Sequence, residues 1–361
     1  MKKYYSTSEY KKANKRRAVK SHKRKLVSKE KKKKKLRDKQ GKSVEQLKKE
    51  DLLKRYIKIS APNKFSFIKY PEETIKFIHK LERQYQNRKK VFVDLSLIEE
   101  LDYSAISILV SVMFTFKSRN IDFNGSFPEN PDLKKLLIDS DFFKYLNRPV
   151  GNKLEYNVGK PNQIFTRANK EVNSELGLVV MEEVSETIWG KKRTCKGLQR
   201  VLLELMHNTN NHADTGGKGV KHWWLSVNHN KKEQKVSFVF IDYGVGIFES
   251  LKNKPNNSKW AGAIEKISNR FKYGSNNDIL KLLLNGDVHM TVTGEHFRGK
   301  GLPGIKEVQD RNQISNLHII SNDVFSDVEN DNYKKLNKNF SGTFAFWELN
   351  KDNINSEWII S

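Results

Sequence analysis

Cysteine is almost absent: Cys195 stands alone, which excludes an internal disulfide and a cysteine-based zinc or redox centre and fits a reducing compartment. Long apolar runs are missing too. The longest, Ala105 to Phe116, is about twelve residues against the roughly 20 needed to span a bilayer, so it reads as a buried helix. Lys2 and Lys3 are followed by no apolar stretch, so no secretory signal is expected. These absences together lead us to expect a cytoplasmic protein with no membrane partner. Acidic residues are scarce at one end only. Residues 1–50 carry 22 Lys+Arg against 5 Asp+Glu, a net +17 of the +26 held by the whole chain.

At 361 residues the chain is long enough for roughly two domains. Its first 50 residues lack hydrophobic periodicity, and Lys31 to Lys35 is an unbroken lysine run. Such a stretch buries too little apolar surface to offset its ordering entropy, so a disordered tail or a solvated helix is expected. Its charge suits a phosphate-binding arm for nucleic acid or another polyanion, because each phosphate neutralised by lysine releases condensed counterions. A solubilising tail is the plainer alternative.

Residues 51–152 change character. Tyr56 to Ser60 alternates like a strand, Ile75, Phe77, Ile78 and Leu81 recur at helical spacing, and Lys90 to Leu95 reads as a half-buried strand. The apolar helix from Ala105 follows, then Asp122-Phe-Asn-Gly, a proline-containing loop at Pro128 and Pro131, and an amphipathic helix with Leu133, Leu136 and Leu137. This is an alternating β/α unit. Val91-Phe-Val-Asp-Leu-Ser96 followed by Ile98-Glu-Glu-Leu-Asp-Tyr-Ser-Ala105 resembles a STAS domain, the fold of anti-sigma-factor antagonists. The resemblance implies a phosphoacceptor at Ser104, although Tyr103 and Ala105 depart from the family's Asp-Ser-Ser-Gly. A serine just before an apolar helix is also a natural N-cap, and both readings of Ser104 stand at this point. His79, weighed as a phosphoacceptor, lacks the surroundings of one and reads as structural.

Residues 153–180 are polar, contain Pro161, and are expected to be a linker. From 181 to 361 the pattern is two helices, two strands, a long irregular stretch, a helix and two strands, which implies an α/β sandwich with an antiparallel or mixed sheet. No internal repeats are evident. On the helix expected from Gly197 to Ala213, Leu198, Val201, Leu202 and Leu205 form the apolar face, while Glu204, Asn208 and His212 recur every four residues and share a stripe. An Asn carbonyl can supply one oxygen ligand to Mg²⁺, and a carboxylate one turn earlier can polarise an attacking hydroxyl or water. Lys235 to Ile247 is an apolar strand ending in Asp242-Tyr-Gly244-Val-Gly246, where glycines permit close approach of a planar base. Phe297-Arg298-Gly299-Lys300-Gly301-Leu-Pro303-Gly304-Ile305 opens a further helix, and unpaired N–H groups at such a start favour phosphate. Ser341-Gly-Thr343-Phe-Ala-Phe346 closes the set. The adjacent Trp223 and Trp224 are expected to pack in the sheet.

Taken in this order, the four motifs resemble the GHKL superfamily of ATPases and kinases (the Bergerat fold), over roughly residues 185–350. The resemblance implies ATP and Mg²⁺, with Glu204 catalytic and Asn208 on the metal. Asp242 would read adenine. His212, Gly244, Gly246, Arg298, Gly299, Lys300, Gly301, Gly304 and Thr343 would complete the nucleotide site, and residues 248–297 would hold a mobile lid, closing within one chain or across a homodimer. A fusion of a STAS-like module with an anti-sigma-type kinase is implied: an ATPase, or a kinase for a serine on a protein partner or on Ser104. The alternatives are a nucleic-acid-associated ATP switch and a non-catalytic interaction regulator.

Overall fold

A computed structural model describes residues 7–40, 54–140, 142, 163–166, 174–212, 223–252, 275–286, 301–355 and 358–360. They form a mixed α/β architecture with parallel and antiparallel sheets. The chain divides into two compact units, Met1–Lys58 and Ile59–Ser361. Among the described residues no helix is long and apolar enough to cross a membrane.

The described part of the basic tail is one helix, α1 (Ser8–Gln40). Val19, Leu26 and Val27 on it are about half exposed, and it has no apolar face.

Strand β1 (Ile57–Ser60), which runs across the boundary into the second unit, β3 (Val91–Asp94) and β5 (Phe123–Gly125) make a three-stranded sheet, and β2 (Lys64–Phe65) pairs in parallel with β4 (Glu100–Leu101). Around them run α2 (Pro71–Gln86), α3 (Tyr103–Ser118) and α4 (Pro131–Asp139). Helix α2 begins on Pro71, whose missing N–H costs nothing in a first turn, with Glu72 and Glu73 beside it favouring the helix N-terminus. Helix α3 is the apolar run, and its residues from Ser104 to Met113 are all buried. Its N-cap is Asp102, which accepts from the Ala105 N–H at 3.0 Å. Ser104 therefore lies inside the first turn and is not the cap. The aspartate wins because its two oxygens can also accept the hydroxyls of Ser104 and Ser66.

The larger sheet is antiparallel, five strands in the order β10-β11-β9-β8-β6. The strands are β6 (Gln163–Thr166), β8 (Trp223–Asn230), β9 (Lys235–Asp242), β10 (Ser315–Asp327) and β11 (Asn332–Leu349). Helices α5 (Ser174–Trp189), α6 (Lys196–His212), α7 (Ile247–Lys252), α8 (Asn276–Asn285) and α9 (Gly301–Asp310) accompany it, and β7 (Arg193–Cys195) pairs with β12 (Trp358–Ile360). The expected linker 153–180 differs from a coil where it is described: β6 adds an edge to the sheet, and α5 starts within it. A four-residue edge strand held by main-chain bonds has no need of the periodicity by which it would be read from sequence.

Both faces of this sheet are buried, and pleating sorts its residues between them. Trp223, Leu225, Phe238, Phe240, Leu317, Ile319 and Trp347 pack with Val180, Val184, Leu198, Leu202, Leu205, Leu284 and Ile305 from α5, α6, α8 and α9. Trp224, Ile241, Ile320, Phe344 and Phe346 pack with α2, α3 and the small sheet. Phe67 meets Phe344 and Phe340 edge-on at ring-centroid distances of 4.7 and 5.1 Å, and Phe114 meets Trp224 at 4.9 Å. Helix α3 thus lies between two sheets, which is why it is apolar around its circumference. Trp223 and Trp224, both buried, serve opposite faces of the same sheet, as their adjacent positions on a strand require.

Candidate functional site

At the end of β9, Asp242 pairs across the sheet with Trp223 on β8 and Thr343 on β11, and Thr343 pairs with Ser321 on β10. Directly opposed residues share a face, so Ser321, Thr343, Asp242 and Trp223 form one row on the side covered by α5 and α6. The Asp242 carboxylate accepts the Gly244 N–H at 2.9 Å and both the hydroxyl and N–H of Thr343. Burial dominates over these bonds and raises its pKa to about 6.

The turn after Asp242 is tied down by β10. Ser321 accepts the Ile247 N–H at 2.9 Å and donates to the Gly342 carbonyl at 2.8 Å. Asn322 accepts the Phe248 N–H at 3.0 Å and donates to the Val245 carbonyl at 2.8 Å. Two glycines are obligatory here. Gly246 has φ +82°, and a Cβ on it would lie 2.4 Å from Asn322 Oδ1. Gly342 has φ +128°, and a Cβ would lie 2.0 Å from the Asp242 carbonyl oxygen. Ser321 and Asn322 escaped the sequence reading. Their signal in the sequence is the polar break Ser321-Asn322-Asp323 inside an apolar strand, which in the structure coincides with a register shift and a left-handed Asn322.

Glu204 and Gly304 come together elsewhere on the same helical layer, in a cleft of about 180 Å³ between α6 and α9 that Arg200, Arg311 and Gln313 also line. Gly304 lies in the first half of α9, and a Cβ there would meet nothing within 4 Å. Gln313 is fully buried, and both its amide atoms lack a hydrogen-bond partner, so the cleft presents one donor and one acceptor to whatever fills it, water included. Asn208 is half-buried on α6, one turn beyond Glu204, and Gly301 is the first residue of α9. His212 ends α6, but its side chain lies outside the described residues, as do Arg298, Gly299, Lys300 and most of 248–297, where the lid is expected. Among the described residues no group of His, Cys, Asp and Glu could by itself hold a metal ion. A magnesium site built from Asn208 and phosphate oxygens requires no such group.

Ser104 is far from solvent. Its hydroxyl accepts the Phe67 N–H at 2.8 Å and donates to Asp102 at 2.5 Å, and the residue is 1% exposed. Phosphoryl transfer to it would require the start of α3 to unseat. His79 on α2 is engaged with the Asn339 carbonyl at 2.7 Å, a bond between the α2 face and β11.

No family model and no curated protein matches this chain.

Proposed function

We propose that the chain binds ATP with Mg²⁺ in a GHKL-type site and uses it for hydrolysis or for phosphorylation of a serine on a protein partner. The observation that carries this reading is the row Thr343–Asp242 at the sheet end, with its carboxylate turned to the α6 side and the adjacent turn cleared by Gly246. A desolvated carboxylate fixed by three N–H and O–H donors is a rigid acceptor for an exocyclic amino group. Asp242 reads adenine in this scheme, while Gly244 and Gly246 line the base. Helix α6 supplies Glu204 as the base that polarises the attacking oxygen and Asn208 as an oxygen ligand. Bound Mg–ATP supplies the transferable phosphoryl group. The start of α9, with open space over Gly304, offers N–H groups to phosphate, and the resemblance adds Arg298, Gly299, Lys300 and Gly301 there. The STAS-like reading of residues 51–152 rests on the β/α order and the strand that precedes α3; with Ser104 buried, its place here is as the covering layer of the sheet.

Calorimetry with Mg–ATP and tracking of the labelled γ-phosphate test the reading. Wild type should bind; Glu204→Ala should bind comparably yet lose about 10²-fold or more in turnover, the scale of general-base contributions; Asn208→Ala should lose the magnesium-dependent part of binding. Failure of the wild type to bind ATP overturns the assignment, and turnover unchanged in Glu204→Ala removes that residue's role. A second reading, an ATP-gated switch on nucleic acid, is favoured by the charge of α1.

A further inference from the structure

We infer that α1 is a duplex-DNA-binding rod that lies in the major groove and takes its helical form from the phosphates around it. This inference is independent of the ATP site. Helix α1 holds 17 Lys+Arg against 3 Asp+Glu over its 33 residues. In a helix, residues three or four apart are neighbours, and like charges there are destabilising. Lys11/Lys15, Lys12/Arg16, Arg16/Lys20, Lys20/Arg24 and Lys25/Lys29 are such pairs, and from Lys15 to Lys29 no acidic residue opposes them. Opposite charges at this spacing occur only at the two ends of the helix, where Glu9 stands with Lys12, Glu30 with Lys33 and Lys34, and Asp38 with Lys34 and Lys35. The helix buries no apolar stripe, so neither local pairing nor packing stabilises it in water. Neutralising its lysines removes the main opposing term.

The distribution of charge selects the partner. At about 100° per residue, Lys12, Lys20, Arg17 and Lys25 stand about 100, 180, 240 and 320° around the axis from Lys11, so cations face every direction. A flat anionic lipid surface would use one side of such a rod and needs an apolar face for insertion, whereas Val19, Leu26 and Val27 stand among lysines and remain exposed. Single-stranded nucleic acid is read by stacked aromatic rings, and Tyr10 is the helix's one aromatic residue. A groove with phosphates along both walls satisfies charge on all sides. The B-form major groove is wide enough for an α-helix, while that of A-form RNA is deep and narrow. Lysine acts as a point charge without the fixed fork that reads guanine, so binding is independent of sequence.

The test titrates full-length protein into labelled 24-base-pair DNA duplexes of two unrelated sequences across a potassium chloride series, read by anisotropy, with far-UV circular dichroism alongside. Both duplexes should bind equally, with helicity rising on binding. The slope of log affinity against log salt should be roughly −4 to −6, corresponding to about five or six phosphates. A variant with Lys11, Lys12, Lys15, Lys20, Lys23 and Lys25 all changed to Gln should bind at least tenfold more weakly with a shallower slope, while its tryptophan fluorescence, which reports the compact unit, stays as in wild type. Undiminished binding by that variant, no gain of helicity, or tighter binding to duplex RNA, single-stranded DNA or phosphatidylserine vesicles would each overturn the assignment.

Discussion

The two faces of the five-stranded sheet differ in how they are covered. One meets amphipathic helices α5, α6, α8 and α9 and, at its end, turns polar in the row Ser321–Thr343–Asp242. The other meets α2, α3 and the small parallel sheet and stays aromatic, through Phe67, Phe114, Phe340 and Phe344. The division passes between two consecutive residues. Asp242 faces the helical layer, while Tyr243 packs against the other core and shares a 2.5 Å hydrogen bond with Ser111 on α3. A chemical site can therefore sit on one face while its neighbour in sequence reports to the layer behind.

The largest effect comes from removing an aromatic ring from either face. Phe344→Ala and Trp347→Ala, on the same strand but opposite faces, should each cost about 3–5 kcal/mol, as buried aromatic truncations do. Denaturant melts should stay single transitions, because both faces share the sheet. Two transitions, one moved by each variant, would break the comparison by making the layers independent.

Next comes Asp242. Its pKa, raised to about 6 by burial, leaves it ionised at pH 8, so ATP affinity should fall as pH drops through about 6. Stability runs the other way: the protonated form is the one folding favours, so this group's stabilising contribution is complete below its ordinary value near 3.8 and is lost as pH rises through about 6. Asp242→Asn should therefore raise the melting temperature at pH 8 by a few degrees while weakening ATP binding. Loss of both stability and binding would mean that the carboxylate is a structural acceptor.

The smallest effect sharpens the comparison. Tyr243→Phe and Ser111→Ala should each cost about 1 kcal/mol, and the double variant scarcely more than either, because one hydrogen bond is shared. Additive losses in that cycle would show that the two hydroxyls act separately.

Several elements were legible because their signals are local. The apolar run at 105–116 could only be a buried helix, and the repeat of leucines from Leu198 to Leu205 fixes the inward stripe of α6. Other features were not, because their causes lie far along the chain. The cap of α3 went to Asp102 over Ser104 through Ser66 and Phe67, some 36 residues away. The clamp formed by Ser321 and Asn322 is set by bonds to a turn 74 residues earlier. Edge strand β6 carries no periodicity because main-chain pairing alone holds it.

The sequence by itself determined that the apolar run at 105–116 and the leucine stripe of α6 are helical, where charge gathers, and which residue types stand at the strand end and along α6, since these follow from spacing and composition. Only the tertiary structure decided that the sheet is covered on both faces, that Asp242 and Tyr243 look to opposite layers, and that Glu204 meets Gly304 in one cleft. The physical reason is that periodicity states how much of an element is buried, whereas the partner that buries it is chosen by strand register and packing between residues distant in the chain.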